Sequence, residues 1–269
     1  MQTTYTIETD EFIKFKNLIY QEAGITLTEA KKSLVVTRLS KRLRYFDCSS
    51  FQEYYEIVIG NDYPIEMQMM VDLLTTNETY FFREEKHFEF LEKITKTKKN
   101  WTTPYRVWSA ASSSGEEAYT IAMVLQETLG DAPWEIVGTD ISTRIIEKAK
   151  NGLYPLERAE KIPKAYLNKY CLKGVRSHTG SFMIDKKLKK RIQFKHMNLL
   201  NGISGMGEFD AIFLRNVMIY FDQETKSRLV KTILNHLKPE GYFLIGHSES
   251  LNGISSSVKL VQPAVFQRK

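Results

Sequence analysis

The sequence predicts an α/β protein whose mostly parallel sheet is preceded by a small helical domain. Within the domain of residues 1–74, the stretch from about Thr9 to Leu74 has helical periodicity throughout. From residue 101 onward, short β-branched and aromatic runs alternate with amphipathic segments, a pattern typical of a parallel sheet covered on both faces. The run Tyr105–Ala110 passes through a small-residue turn into a helix, which is the first half of a nucleotide-binding unit.

The helical domain is predicted from apolar spacing and from its turn residues. The predicted helices run from Asp10 to Gly24, from Thr28 through Arg44, from Ser50 to Ile59, and from Pro64 to Leu74. The second is unusually basic, with Arg38, Lys41 and Arg42 opposite its apolar face. Either these cations pair with neighbouring acids, or they form a docking face for an acidic helical partner.

Residues 75–100 are predicted to connect the two domains. A polar cluster, Thr75–Thr79, leads into the aromatic and basic run Tyr80–Arg83 and then into a helix that starts near His87. The lysine-rich run Lys96–Asn100 has the composition of a solvated connector.

The turn after Tyr105–Ala110 carries the first candidate binding residues. Ser113 and Glu116 have the spacing of a capping box for a helix that runs to about Leu129. Such a turn presents backbone N–H groups and the positive end of a helix dipole. A single glycine, Gly115, with Glu116 and Glu117 beside it, disfavours phosphates and suits a cationic or ribose-bearing ligand. An ordinary capped helix is the alternative interpretation.

The second predicted strand, Trp134–Thr139, ends at Asp140. An acid at the end of the second strand is where such folds hydrogen-bond ribose hydroxyls. Asp140 is also placed to cap the next helix, predicted over Ser142–Lys150.

Residues 171–191 interrupt the alternation and predict a small antiparallel insertion, with Gly174 and Gly180 bracketing its turn. The sheet then resumes and is expected to end in an antiparallel strand. The predicted elements are the strands Ile192–Met197 and Phe209–Leu214, a helix Gln223–Leu237, a turn at Pro239–Gly241, the strand Tyr242–Gly246, and short strands near Val258–Val261 and Ala264–Gln267.

Composition excludes several classes of protein. The chain of 269 residues is 42% hydrophobic and 26% charged, as in soluble globular proteins, and contains no apolar run of about 20 residues. Its first four residues lack a signal-peptide start, so we expect a cytoplasmic protein. Its 2 cysteines are far apart and form no Cys/His cluster, so no metal site is expected.

Charge is divided unevenly along the chain. Residues 1–80 contain 8 Lys and Arg against 12 Asp and Glu, a net charge of −4. Because the whole chain carries a net charge of +6, residues 81–269 carry +10. A basic second part suggests an acidic partner, although most charge runs are only solvated surfaces.

Several long stretches resemble the signature motifs of the CheR-type chemotaxis receptor methyltransferases, in the same order along the chain. They are Asn77–Arg83 (NETYFFR), Arg106–Glu117 (RVWSAASSSGEE), Arg215–Phe221 (RNVMIYF) and Gly246–Ser250 (GHSES). The resemblance covers essentially the whole chain. It implies a class I, Rossmann-like methyltransferase fold that uses S-adenosylmethionine, releases S-adenosylhomocysteine, and forms γ-glutamyl methyl esters on the cytoplasmic helices of chemoreceptors.

The resemblance also implies roles for individual residues. Cofactor contacts are expected at Asn77, Thr79, Arg83, one of Glu116 and Glu117, Asp140, Asn198, Leu199, Asn216 and Val217. The basic second helix is expected to face the receptor, and the insertion to hold a receptor's C-terminal pentapeptide. Arg176 stands where a middle glycine is usual in that insertion, which departs from the family pattern. A monomer without membrane insertion is expected.

The chemistry explains why no Ser-His-Asp set and no paired catalytic carboxylates are found in the sequence. A glutamate with a pKa near 4.3 is already ionised at neutral pH, so it needs no general base to become a nucleophile. We therefore expect catalysis by positioning. Arg83, Asn216 and Tyr220 are predicted to border the reacting groups, with Arg83 orienting the acceptor carboxylate. Core packing is the alternative role for Tyr220.

Two other functions compete with this interpretation. One is a nucleic-acid methyltransferase, which the pI of 9.0 favours. Against it, the strand before Arg215 is not followed by a base-flipping motif, and no aromatic residues are interleaved with the cations, so no nucleic-acid partner is expected. The other is a cofactor-binding regulator that has lost turnover.

Overall fold

A computed structural model describes residues 5–97 and 103–269. The N-terminal start, Met1–Thr4, and the last three residues of the predicted connector Lys96–Asn100 lie outside these ranges. Within them, every helix is too short or too polar to span a bilayer.

The N-terminal domain is a helical bundle, as predicted. Its helices are α1 (Thr9–Ala23), α2 (Lys32–Tyr45), α3 (Phe51–Ile59) and α4 (Glu66–Leu74), with a 3-10 turn at Glu29–Lys31 before α2. Their apolar faces form one buried cluster around Phe12, Phe15 and Tyr54. The predicted cap at Asp10 is wrong, because α1 begins earlier, after Glu8, whose N–H donates to the Glu11 carboxylate at 2.8 Å.

The remaining elements alternate between strands and helices. In chain order they are α5 (Lys86–Thr97), β1 (Tyr105–Ser109), α6 (Glu116–Leu129), β2 (Trp134–Asp140), α7 (Thr143–Asn151), β3 (Leu153–Pro155), α8 (Lys164–Tyr170), β4 (Cys171–Lys173), β5 (Ser181–Ile184), α9 (Lys186–Lys189), β6 (Ile192–His196), β7 (Phe209–Leu214), α10 (Gln223–Leu234), β8 (Leu237–Ile245), β9 (Val258–Gln262) and β10 (Val265–Arg268). Further 3-10 turns lie at Leu156–Ala159, Arg176–His178 and Met218–Tyr220.

Seven strands form the main sheet in the order β6-β2-β1-β7-β8-β10-β9. The pairs from β6 to β8 are parallel, and β10 is antiparallel to both of its neighbours. One buried apolar cluster covers the face that packs on α5 and α6, and another covers the face that packs on α10. The predicted α/β fold, with its helical domain, antiparallel terminal strand and small insertion, is confirmed.

The turn between β1 and α6 differs from the predicted capping box. The N-cap of α6 is Gly115, at φ +96°, and no side chain caps the helix. A Cβ at Gly115 would lie 3.0 Å from the Cβ of Ala149, so glycine is favoured by both φ and space. Ser113 instead adopts φ +48° and donates its N–H to Asp140 at 2.9 Å. A tertiary hydrogen bond has replaced the local cap.

The predicted turn at Pro239–Gly241 lies inside a strand. Helix α10 ends at Leu234, and β8 begins at Leu237, which pairs with Phe209 of β7. A register shift in that pairing accommodates the turn residues as an irregularity, with Glu240 at φ +58°. The strand therefore continues on both sides of the predicted turn, whose residues have no partner in the β7 register.

The antiparallel insertion is larger than the predicted range 171–191. Its three strands have the order β3-β5-β4, so it starts at Leu153, before α8. Strand β3 has three residues, and its partner β5 follows after α8 and β4, so local periodicity gives no signal for it.

Candidate functional site

An open cleft lies at the carboxyl ends of β1, β2 and β7. Strand order reverses there, since β1 has β2 on one side and β7 on the other, and such switch points are where α/β sheets bind ligands. Residues that line the cleft include the predicted Asn77, Thr79, Arg83, Glu117, Asp140, Asn198, Leu199, Asn216, Val217 and Tyr220. The fold thus brings together nearly all the predicted cofactor and catalytic residues.

Asp140 forms one wall of the cleft at the end of β2. Its carboxylate accepts hydrogen bonds from the N–H groups of Ser113 at 2.9 Å and Ser142 at 3.0 Å. Burial raises the pKa of Asp140 to about 6, and the nearby Asp72 acts in the same direction. Each carboxylate oxygen keeps a second lone pair, so Asp140 can still accept a hydroxyl donor from the cleft.

The structure separates the two glutamates that the sequence left as alternatives. Glu117 lines the cleft, and its carboxylate accepts from Ser109 Oγ at 2.7 Å. Glu116 is absent from the lining; it accepts from Ser114 Oγ at 2.6 Å and lies 3.5 Å from Arg158. Burial raises the pKa of Glu116. Glu117 is therefore the one placed to meet a ligand in the cleft.

Arg215 connects the two ends of the cleft. Its guanidinium is 2% exposed and donates to Glu117 at 2.8 Å, to Glu84 at 3.2 Å, and to the backbone carbonyl of Arg83. A buried cation between two carboxylates is well paired, so it fixes the relative positions of the segments that carry them. Sequence reasoning assigned no role to Arg215 or Glu84; the one signal was a charged residue directly after a buried strand.

Arg83 lies at the rim of the cleft on a strained turn. Its neighbours Phe82 and Glu84 have φ angles of +57° and +58°. Arg83 donates to the carbonyl of Glu78 at 2.9 Å, and its guanidinium lies 5.7 Å from the ring centre of Tyr80. Within the described residues it has no carboxylate partner at ion-pair distance. Its charge is therefore available to an acidic group that enters the cleft.

A second polar cluster lies behind this rim. The potential ligand atoms of Glu84, His87 and His247 lie within 4.8 Å of one another. His87 is fully buried, which lowers its pKa to about 3 and keeps the ring neutral. We assign no metal to the cluster, because Arg215, which opposes a proton on His87, would also oppose a dication. Glu84 also already accepts hydrogen bonds from Arg215 and Asn216.

The basic residues of α2 have different environments. Arg42 forms a two-pronged ion pair with Glu66, at 2.8 and 2.6 Å, and Glu66 is 1% exposed. Arg38 donates to the carbonyls of Leu74 and Thr75, at the start of the segment that enters the cleft. Both guanidiniums bind their own chain, so Arg42 has the acidic neighbour that the first interpretation of this helix expected, and a partner-facing role for Arg38 and Arg42 stays a prediction. Lys41 is exposed.

Replacing Arg42 by alanine should lower the free energy of unfolding by about 3 kcal/mol, because Glu66 would be left buried without its cation. The adjacent, exposed Lys41 provides the control, and Lys41→Ala should change stability by less than about 0.5 kcal/mol. Urea denaturation measures both. Equal stabilities for the two variants would contradict a structural role for Arg42.

The insertion holds both predicted glycines. Gly174 donates its N–H to the carbonyl of Ser181 at 2.9 Å, and a Cβ at Gly174 would lie 2.0 Å from the carbonyl oxygen of His178. Only glycine fits there. Gly180 has φ +84°, and Arg176, the departure from the family pattern, also adopts a left-handed φ of +54°. Arg176 thus supplies the conformation that a glycine there would adopt readily.

Two family models match the chain. The model described as CheR methyltransferase, all-alpha domain, matches residues 10–75, and the one described as CheR methyltransferase, SAM binding domain, matches residues 77–266. Curated relatives include chemotaxis protein methyltransferase 2 of Pseudomonas aeruginosa, 41% identical over 96% of this chain and 92% of the relative. The chemotaxis protein methyltransferase of Escherichia coli is 39% identical over 95% of this chain and 89% of its own length.

The solved structures that match this chain are more distant in sequence. PKMT2 from Rickettsia typhi is 14% identical and has a TM-score of 0.40 over 63% of this chain and 26% of its own. An S-adenosylmethionine-dependent methyltransferase from Mesorhizobium loti is 15% identical and has a TM-score of 0.34 over 60% of this chain and 52% of its own.

Proposed function

Since the chain belongs to the CheR methyltransferase family, we propose that it methylates glutamate side chains on the cytoplasmic helices of chemoreceptors. The donor is S-adenosylmethionine and the product is a glutamyl methyl ester. The observation that carries the proposal is the cleft itself, which has Asp140 and Glu117 on its walls and, at its rim, Arg83, which forms no ion pair with any residue that the structure describes.

The residues of the cleft fit the cofactor. S-adenosylmethionine, when bound, supplies an electrophilic methyl group on a sulfonium. Asp140 offers carboxylate lone pairs to ribose hydroxyls, and Glu117, whose charge is paired with Arg215, offers its remaining carboxylate lone pairs to hydroxyl or amine donors of the cofactor. Asn77, Thr79, Asn198, Leu199 and Val217 complete the proposed contacts.

The acceptor end is proposed to work by orientation. The incoming glutamate is ionised at neutral pH, so its oxygen forms the new bond to carbon as the sulfur–carbon bond breaks, and no proton is transferred. Arg83 would hold the acceptor carboxylate in line through charge-assisted hydrogen bonds. Asn216 and Tyr220, which also line the cleft, would border the same position.

The experiment combines the protein, a receptor cytoplasmic fragment and S-adenosylmethionine labelled in the methyl group. We expect label in the fragment that is released as methanol by mild base, as for a methyl ester. A fragment with glutamine at its acceptor positions is the matched control and should take up no label. Transfer of label to nucleic acid, or cofactor binding without any transfer, would overturn the proposal.

Among the predicted partner-binding cations of α2, Lys41 is the one that the structure leaves exposed, and we propose that it faces the receptor. Lys41→Glu should raise KM for the receptor fragment several-fold, and the increase should be larger at low salt than at high salt. The reason is that a surface charge acts chiefly on the rate at which the two proteins associate, and salt screens it. The affinity for S-adenosylhomocysteine, measured by calorimetry, should not change. An unchanged KM at low salt would make Lys41 an ordinary solvated residue.

A further inference from the structure

The carboxylate of Glu249 lies beneath the loop Arg215–Phe221 and accepts hydrogen bonds from two separate chain segments. One oxygen accepts the N–H of Asn216 at 2.9 Å and the N–H of Gly246 at 2.7 Å. The other accepts the N–H of Met218 at 2.8 Å. Three backbone donors on one half-buried carboxylate fix both the loop after β7 and the end of β8.

The two segments approach each other closely at Gly246. A Cβ on Gly246 would lie 2.5 Å from Asn216 Nδ2 and 2.9 Å from a Glu249 oxygen. The close approach allows Glu249 to span from the β8 end to the loop.

Asn216 is held in a conformation that its backbone disfavours. Its φ is +58°, in the left-handed region, where a residue with a Cβ needs support from its surroundings. Glu249 binds its N–H, and Glu84 accepts from its side-chain Nδ2 at 3.2 Å. Two carboxylates therefore fix Asn216: Glu249 accepts its backbone N–H, and Glu84 accepts its side-chain amide.

Glu249 also contacts the 3-10 turn Met218–Tyr220. By accepting the Met218 N–H, Glu249 fixes the start of the turn that carries Tyr220 into the cleft. Glu249 itself is absent from the cleft lining, so it can act only through this loop.

We propose that Glu249 is a positioning residue for methyl transfer, which holds Asn216 and Tyr220 at the acceptor end of the cleft. The inference rests on the proposed function and adds a residue that does not touch the reacting groups. Displacing a reacting partner by about 1 Å can cost about 100-fold in rate.

Glu249→Gln tests the proposal, because the amide keeps the side chain's size but turns an NH₂ group toward backbone donors. We expect kcat on the receptor fragment to fall about 100-fold and KM to change less than about threefold. The melting temperature should stay within a few degrees of the wild type. Glu224→Gln, the same change at an exposed site on α10, is the matched control and should leave all three unchanged.

Amide NMR gives a readout that does not depend on turnover. In the wild type, the Asn216 and Met218 amide protons should resonate downfield, as expected for donors to a carboxylate, and should move upfield in Glu249→Gln. Glu249→Asp keeps the charge but not the reach, so it should give an intermediate kcat.

Three results would overturn the proposal: a kcat for Glu249→Gln within threefold of the wild type, a loss of kcat that only follows loss of folded protein, or unshifted amide protons. Failure of the proposed function is recognised separately, because the wild type would then leave the receptor fragment unmethylated.

Discussion

Replacing Arg83 by alanine is expected to lower kcat for methyl-ester formation by at least about two orders of magnitude. The reason is geometric, since Arg83 is the cleft-lining cation without an acidic partner among the described residues. Its carbonyl, not its side chain, binds Arg215, so truncation leaves the buried network in place. The fold should therefore remain intact, with a melting temperature within a few degrees of the wild type.

Arg83→Lys is the matched control, because it keeps the charge but loses the two-pronged geometry. Its kcat should lie between those of the wild type and Arg83→Ala. Single-turnover measurements with labelled S-adenosylmethionine and a receptor fragment separate the chemical step from binding. Near-normal turnover in Arg83→Ala would remove Arg83 from the mechanism.

Replacing Asp140 by alanine should weaken binding of S-adenosylhomocysteine by roughly 2 to 4 kcal/mol, or tens to several hundred-fold in Kd. Its carboxylate is the proposed acceptor for the ribose hydroxyls, and burial makes such hydrogen bonds stronger than at the surface. Calorimetry gives the affinity directly. Unchanged binding would contradict the ribose role.

The pH dependence of binding provides an independent check on Asp140. Its pKa of about 6 in the ligand-free protein means that the carboxyl is largely protonated at pH 5 and ionised at pH 7.5. Ribose hydroxyl donors favour the ionised carboxylate of Asp140, so binding of the ligand should release a proton. Kd should therefore be about tenfold higher at pH 5 than at pH 7.5. Asp72 and His196 face the same carboxyl. Asp140→Asn should show little of this dependence, and a wild-type Kd that is flat across this range would contradict the assignment.

Local sequence signals predicted the fold well where one element depends on its own periodicity. The helices of the N-terminal domain and strands such as β1, β2 and β7 were found because their apolar faces repeat within one element. The capping box of α6 was wrong because Asp140, elsewhere in the chain, accepts the Ser113 N–H. The cap of α1 was wrong for a local reason, since Glu8 and Glu11 cap the helix earlier, and the turn at Pro239–Gly241 lies as an irregularity inside β8.

The candidate site, like the fold, has parts that the sequence predicted and parts that only the packed structure revealed. Asp140 was predicted from its place at the end of a strand, which sequence order alone determines. The choice between Glu116 and Glu117 depends on how the first turn of α6 is rotated against the sheet, and only the packed structure fixes that rotation. For Arg42 the sequence left two interpretations open, and only the packed structure shows that Glu66, on another helix, pairs with it.

By itself, then, the sequence determined the two-part architecture, the strand-turn-helix at its centre and the residues from which the cleft is built. Tertiary structure alone decided how these residues are held. Arg215 pairs with both Glu117 and Glu84, and Glu249 accepts a hydrogen bond from the backbone N–H of Asn216. The physical reason is that periodicity and caps are properties of neighbouring residues. Buried ion pairs and carboxylate–backbone hydrogen bonds instead join groups that are far apart in sequence and meet only when the sheet and its loops pack together.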